Sequence, residues 1–431
     1  MPKIIFHIDV NSAFLSWEAV YRLRHKHASV DLREIPSVVG GNEENRHGIV
    51  AAKSLPCKPY KIKTGESLME ARQKCKDLVV VPPHYQLYER CSKSFISILE
   101  EYTPDVEQYS IDEAFLDMTG TEKLWGDPLT AAKRIREHVN RKLGFTINIG
   151  ISHNKLLSKM ASDFSKPNRI HTLWPEEVPE KMWPLPVSDL FYVGPATTKK
   201  LNTLGIYTIG ELAKADVDML KLYLKSHGVV VWNYANGFDI SSVATYAPDA
   251  KGYGNSTTTP YDICDMDNAK MVLLSLSETI GMRLRKDGAK IEVVSVTIKY
   301  NDFSRKSHQK VLRVATDITN EIYHAAVELY GQLWDFETPV RHMGIRTSRA
   351  SKSATPRQIS LFDIVDSPLY DPSTVSFEKQ EKLDRMSDEI RMNFGMDALK
   401  RAKFVKSRID FASGAISRDK MEVDYSNQIV V

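Results

Sequence analysis

Tyr109-Ser-Ile-Asp-Glu-Ala-Phe-Leu-Asp117 sets two adjacent carboxylates, Asp112 and Glu113, at the head of a short apolar run. Residues 114–118 read as a strand and 106–109 as its neighbour, with the acids at the junction. Successive strand residues point to opposite faces, so both acids can reach one site only if the chain turns or bulges there. A turn at Ser110–Glu113 meets that condition. Further out, residues 3–9 read as a buried strand that ends on a third acid, Asp9. Three hard oxygen ligands on neighbouring strand ends suit Mg²⁺, which keeps waters and uses substrate phosphates to fill its octahedron. Each acid taken alone also reads as a solvated strand-end residue, and spacing does not separate the two readings.

Around these strands the pattern predicts an α+β domain. The segment from the first strand to about His25 carries Phe14, Trp17, Val20 and Tyr21 at helical spacing. Residues 26–78 are irregular and lysine-rich, an insertion. Val79-Val80-Val81, a helix near 85–103, helix 127–142, strand 146–151 and a helix starting near Asn154 complete the domain by about residue 172. From about 186 to 240 the signals are short helices broken at Gly194-Pro195, Gly205, Gly210 and Gly228. A polar stretch, Ala247 to Gly254, leads to strands at 253–259, 294–300, 308–315 and 340–347 with helices 267–286 and 318–334, the order β-α-β-β-α-β. A Ser/Arg-rich linker follows, then a helix near 376–394 with Leu383, Met386, Ile390 and Phe394 on one stripe, and a polar tail.

With 431 residues, 42% hydrophobic and 26% charged, the chain is a multidomain globular protein rather than a fibrous or disordered one. No stretch approaches 18 apolar residues, and the acid at position 9 breaks the first apolar run, so neither a membrane span nor a signal peptide is expected; the cytoplasm is the expected compartment. Cys57, Cys75, Cys91 and Cys264 form no Cys-x-x-Cys and are expected as free thiols. The formal charge of +3 is unevenly spread. Arg283–Arg313 holds nine basic and three acidic residues, and Val340–Gln358 five basic and no acidic ones, a segregation that points to a polyanion-binding face.

The Asp9 block with Phe14, the Tyr109–Asp117 string, Gly150-Ile-Ser-His-Asn-Lys155, Lys159-Met-Ala-Ser-Asp163 and Lys166-Pro-Asn168, in this order, closely resemble the Y-family translesion DNA polymerases of the bacterial polymerase IV and V type, over residues 3 to about 363. The resemblance implies a right-hand polymerase: α+β palm (1–25 and 79–172), small fingers (26–78), helix-hairpin-helix thumb (173–245), β-α-β-β-α-β little finger (246–348), and a clamp-binding linker with C-terminal helix and tail (349–431). It further implies template-directed translesion synthesis from a dNTP on primer–template DNA. Asp9, Asp112, Glu113 and the Val10 carbonyl would hold two Mg²⁺ ions, stabilising charge on the attacking and leaving oxygens.

By the same resemblance Phe14 is a gate against the ribose 2′-hydroxyl; from the residues alone it reads as a core aromatic beside Trp17. Lys166, just before Pro167, would contact the incoming triphosphate. Lys155 and Lys159 form a basic stripe opposite Leu156, Leu157 and Met160, which by itself reads as a solvated face. In the fingers, where the family commonly carries a tyrosine and an arginine, this chain has Leu55 and Lys58; lysine neutralises phosphate without the bidentate fork. Val193-Gly-Pro-Ala-Thr-Thr-Lys-Lys-Leu201 resembles a helix-hairpin-helix, with Gly194 and Lys199 toward DNA phosphate, or reads as a plain capping turn. Lys299, Arg313, Arg341 and Arg346 on the third unit's strands would grip duplex backbone. Gln358-Ile-Ser-Leu-Phe-Asp363 resembles the bacterial sliding-clamp peptide, with Gln358, Leu361 and Phe362 as anchors. A monomer is expected, with residues 370–431 either docking an accessory subunit or packing on the body. The rival readings are a non-catalytic DNA-binding, clamp-associated scaffold and another palm-type nucleotidyl transferase such as a cyclase.

Overall fold

The computed structural model describes residues 2–43, 46, 48–246, 248–352, 372–405, 407 and 409–411. They fall into two compact units, one within Met1–Gly40 and Val50–Ala247, the other within Gly41–Ile49 and Pro248–Val430. The strands, in chain order, are β1 (Ile5–Val10), β2 (Ser37–Gly40), β3 (Val50–Lys53), β4 (Val79–Val81), β5 (Val106–Gln108), β6 (Glu113–Asp117), β7 (Ile147–Ser152), β8 (Ile170–Thr172), β9 (Gly254–Ile263), β10 (Ile291–Tyr300), β11 (Arg305–Thr316) and β12 (Val340–Ser348).

In the first unit, β1 runs through the middle of a sheet ordered β5-β6-β1-β7-β8, antiparallel to both β6 and β7. Every residue of β1 and β7 is buried, which explains their near-continuous apolar sequence. Helices Tyr85–Glu100 and Pro128–Leu143 supply Leu87, Phe95, Ile98, Ile135 and Val139 to the same core as Phe6, Ile8 and Leu116. A smaller sheet, β3-β2-β4, corresponds to the lysine-rich insertion and encloses Val38, Val50, Cys57, Ile62 and Leu68. Val79–Val81, expected to resume the palm, pairs instead with Ser37–Val39. Val39, Ala52 and Val81 nevertheless reach into the palm core, so the two bodies share side chains at their junction and a sequence boundary there is blurred. The short helices Pro195–Thr203, Ile209–Lys214, Val217–Leu224 and Ser226–Ala235 close around Leu201, Ile209, Leu212, Leu220 and Val231.

The second unit contains the order β-α-β-β-α-β, with strands arranged β11-β10-β12-β9. Helices Met266–Lys286 and Thr319–Leu333 cover one face, where Leu273, Ile280, Ile322 and Leu329 meet Val294, Val296, Ile298, Met343 and Ile345. The mixed five-stranded sheet, the small sheet of the insertion, the cluster of short helices and the β-α-β-β-α-β unit are the components that the resemblance led one to expect.

The C-terminal helix, Pro372–Phe394, packs on the little finger with its polar side inward. Asp384, Asp388 and Arg391 are buried, while Leu383, Met386, Ile390 and Phe394 face water, the reverse of what an amphipathic stripe leads one to expect. Polar partners already buried on helix Met266–Lys286 account for the inversion. The Arg285 guanidinium donates to Asp388 at 2.5 Å and to Asp384 at 3.1 Å, and Arg391 donates to Glu278 at 2.7 Å. Arg401 completes the pairing on Glu278, and Met396, Phe404, Ile409 and Phe411 join the apolar core. Burial alone would raise the Glu278 carboxyl, but the flanking Arg401 and Arg391 hold it below its ordinary value. Of the two roles expected for this region, residues 372–411 therefore take the packing one.

Removing one partner of a buried ion pair strands the other's charge. Glu278→Gln should destabilise the second unit by about 3 kcal/mol. The expected signal is earlier unfolding of that unit in urea and faster amide exchange along Pro372–Phe394; unchanged exchange there would show the network to be dispensable.

Candidate active site

The register of the central sheet does what the sequence requires of its acids. Asp9 on β1 lies directly across from Glu113 on β6, and the Val10 amide donates to the Asp112 carbonyl at 3.0 Å. The chain turns at 109–112: the Tyr109 and Ser110 amides both donate to the Glu113 carbonyl, and the Ser110 hydroxyl donates to the Asp112 carboxylate at 2.8 Å. That turn lets neighbouring residues Asp112 and Glu113 both approach Asp9. Burial raises the carboxyls of Asp9 and Asp112 above the ordinary aspartate value. Neighbouring negative charge adds to this, Glu113 acting on Asp9 and Asp9 on Asp112.

The opposing charge comes from two lysines. Lys166 bonds to Asp9 and, at 2.9 Å, to Asp163; Lys159 bonds to Glu113 at 2.6 Å and lies 3.4 Å from Asp163. Burial opposes the charged form of both lysines, yet the surrounding carboxylates raise both above the usual lysine value. Lys159 is buried, not on a solvated face, because the helix Lys155–Asp163 lies against the sheet. Gly150 permits that approach: a Cβ there would overlap the Ser158 carbonyl oxygen and the Ser162 amide nitrogen. Lys155 likewise pairs with Glu107 at 2.7 Å and sits over the Phe115 ring. Two residues before Asp9 on β1, the fully buried His7 ring bonds to Ser162 at 2.8 Å, and burial with the nearby Lys159 and Lys166 charges holds it well below the ordinary histidine value.

A cavity of about 580 Å³ opens over these groups. Its wall includes Asp9, Val10, Asp112, Phe14, Lys58 and Lys166, so six of the expected site residues share one space. Glu113 stands beside it, held by Lys159. Leu55, whose side chain replaces the family's common tyrosine, also lines the wall. Several contributors carry no signal that the sequence reading used. The amides at the start of helix Ala13–His25 border the cavity, reached through Ser12 in a left-handed conformation at φ 47°. Asn148 donates to the Ser162 and Ser165 carbonyls and accepts from Asn11, whose own oxygen accepts from the Asn168 amide, so the loop carrying Lys166 is tied to the end of β1. Tyr88 is fully buried and stacks on Phe14 with ring centroids 4.7 Å apart and planes 12° off parallel, while its hydroxyl points to Glu18. Phe14 is thus both a wall residue of the cavity and part of the aromatic core.

The donor set fits magnesium: three carboxylates and a strand-end carbonyl, all hard oxygens, with buried like charges that a divalent cation would relieve. Asp9, Val10, Asp112 and Glu113 are the residues that would hold it. Among the described residues, no three His, Cys, Asp or Glu side chains are already drawn together as ligands; lysine ammonium groups supply the counter-charge instead.

Away from this cavity, the thumb helix Pro195–Thr203 begins at Gly194, and a second cavity of about 660 Å³ is walled by Val193, Pro195, Thr198, Lys199 and Asn202. A Cβ at Gly194 would meet nothing within 4 Å, so internal packing does not demand this glycine. On the little finger, Lys299 and Arg346 lie on the sheet face turned away from the helices, opposite His342 and Ser295 of the paired strands. Arg313 on β11 is exposed. Lys299 and Arg341 share the Phe303 ring, at 4.4 and 5.4 Å from its centroid. Gln358, Leu361 and Phe362 lie outside the described residues.

Comparison with known proteins gives the family. Residues 8–163 match the impB/mucB/samB family, 175–206 the IMS family HHH motif, and 250–361 the impB/mucB/samB C-terminal domain. The chain is 43% identical to the DNA polymerase IV of Clostridium acetobutylicum over 402 residues, covering 93% of this chain and 98% of that protein. It is 37% identical to the DNA polymerase IV of Acetivibrio thermocellus, covering 95% and 99%. DNA polymerase IV 2 of Bacillus subtilis is also 37% identical, covering 93% and 94%. The solved Y-family DNA polymerase chimera Dbh-Dpo4(243-245)-Dbh shares the fold, with TM-score 0.67 at 21% identity over 80% of this chain and 98% of that one. The chain belongs to the impB/mucB/samB family, the Y-family DNA polymerases.

Proposed function

We propose that this chain inserts deoxynucleotides opposite damaged template bases, transferring a nucleotidyl group from dNTP to a primer 3′-hydroxyl with magnesium as cofactor. The broader activity follows from the family: the chain is a DNA-directed DNA polymerase. The observation that carries the finer reading is the meeting of Asp9, Asp112 and Glu113 beside one cavity that also exposes Phe14, Lys58 and Lys166. Two magnesium ions, when bound, would supply Lewis-acid stabilisation of charge on the attacking and departing oxygens. The chain's own groups do the remainder by placement and electrostatics.

Lys166 and Lys58 face the cavity as point charges for a triphosphate, and the free amides of helix Ala13–His25 add a positive dipole end. Lys166 now shares its charge between Asp9 and Asp163. Divalent charge at Asp9 would free it to turn toward phosphate while Asp163 keeps it close. Phe14, backed by Tyr88, presents a ring where a ribose 2′-hydroxyl would collide. Ala51 and Ala52 line the cavity with short side chains, leaving room for a distorted template base. Gly194 and Lys199 in the thumb, with Lys299, Arg313, Arg341 and Arg346 in the little finger, would hold the DNA backbone without reading its sequence. Gln358, Leu361 and Phe362 would seat on a sliding clamp, and the enzyme would work in the cytoplasm.

Asp112→Asn should reduce incorporation of a labelled deoxynucleotide by at least about a thousandfold. Its binding to primer–template should stay close to that of the parent chain and weaken steeply with added salt. Substantial incorporation by this variant would remove the acid from the mechanism. Phe14→Ala should relax rejection of ribonucleotides, and Tyr88→Leu should do so partially by withdrawing the ring behind it; competition between dCTP and CTP in single-turnover insertion measures both, and unaltered selectivity in Phe14→Ala would exclude the gate. Replacing Leu361 and Phe362 together by Ala should abolish stimulation by the clamp and spare basal synthesis. Persisting stimulation would place the clamp contact elsewhere.

A further inference from the structure

The C-terminal helix leaves a question that polymerase activity does not answer. Its inner side is charged and satisfied, whereas Leu383, Met386 and Phe394 are 60%, 60% and 76% exposed, with Ile390 beside them at 37%. These four residues recur every three or four positions and so form one continuous strip along about three turns. Clustered apolar side chains on a well-packed helix mark an interaction surface. The strip lies beyond residues 250–361, which match the family's C-terminal domain.

We propose that this face is a self-association surface, occupied by the same helix of a second copy lying antiparallel. The charge pattern selects that occupant. Lys382 and Glu389 are both exposed and, among the described residues, neither has an ion-pair partner. Being seven residues apart, they lie on the same flank of the strip, about 10 Å from one another along the axis. A twofold axis through Met386 sets Lys382 of each copy opposite Glu389 of the other, twice over, and stacks Met386 on Met386 and Leu383 near Ile390. In a parallel pair in register the two flanks would instead lie on opposite sides of the contact, and neither Lys382 nor Glu389 would meet the opposite charge of the other copy. Such self-complementarity is what an isologous interface needs, whereas an unrelated partner would impose no such symmetry on this chain.

Four apolar side chains per copy fall short of the roughly 800 Å² per partner that stable complexes bury, so the association is weak, with a dissociation constant on the order of tens of micromolar. The helix covers the helical layer of the little finger through Arg285 and Glu278, so the basic face of the sheet stays open in the pair.

Sedimentation equilibrium of the full chain, from low to several hundred micromolar, tests this. The mean mass is expected to rise toward twice that of one chain. Met386→Glu and Ile390→Glu, both at exposed positions, should abolish the rise. Lys382→Glu or Glu389→Lys alone should weaken it about fivefold or more, and the two together should restore it. Primer extension at nanomolar enzyme should be unaltered in all five variants, as should circular dichroism. A single-chain mass at every concentration overturns the proposal, as does a dimer indifferent to Met386→Glu. Failure of the double charge exchange to recover what each single exchange loses overturns the antiparallel arrangement, and with it the proposal.

Discussion

The polymerase domain depends on one electrostatic constraint: Asp9, Asp112 and Glu113 place three carboxylates at the adjoining ends of β1 and β6, inner strands of a buried sheet. An unpaired buried charge costs several kcal/mol, and like charges side by side cost more. The chain meets this with Lys159 and Lys166 on or just after the helix that packs across the sheet. Most of the conspicuous local sequence follows from bringing those lysines in. Gly150 lets helix Lys155–Asp163 lie almost in contact with β7, and Asn148 and Asn11 tether the loop that ends at Asn168. Asp163 touches both lysines, at 3.4 Å from Lys159 and 2.9 Å from Lys166.

That constraint also explains which parts of the site were legible in the sequence. Asp9, Asp112 and Glu113 each read alone as solvated strand-end residues and were singled out by the resemblance, while pleat geometry demanded a turn at 110–113, which is present. Lys159 was misjudged. Helical periodicity distinguishes an apolar side from a polar side but cannot tell whether the polar side meets water or another element's carboxylates. Tyr88 was missed for a related reason: a tyrosine in an amphipathic helix is an ordinary core residue until its ring is seen stacked on Phe14. The small sheet of the fingers was read only as an insertion, since its strands of three and four residues carry too little periodic signal.

The departure in the fingers has a physical sense in this setting. Leu55 lines the cavity without a hydrogen-bonding group, and Lys58 gives charge without a planar fork. Lys166 and the start of helix Ala13–His25, both elements of the palm, line the same cavity wall. Phe14, on the same wall, is braced from the core side by the Tyr88 and Trp17 rings.

The same logic of buried charge recurs in the second unit, where sequence reading was weakest. An amphipathic stripe ordinarily predicts which side of a helix faces inward, and in Pro372–Phe394 it predicts the wrong one. The rule fails because the surface receiving the helix is itself polar: Glu278 and Arg285 sit on the inner helix and, if left bare, would each be a desolvated charge. Asp384, Asp388 and Arg391 are the complement to that surface, and satisfying it takes precedence over hiding four apolar side chains, since an orphaned ion costs more than an exposed leucine. Orientation is therefore set by specific pairing, with hydrophobic burial supplied one turn later by Met396, Phe404, Ile409 and Phe411. An apolar stripe in the sequence thus reports a surface that wants covering, and only the charges on the opposite side reveal whether the covering comes from within the same chain.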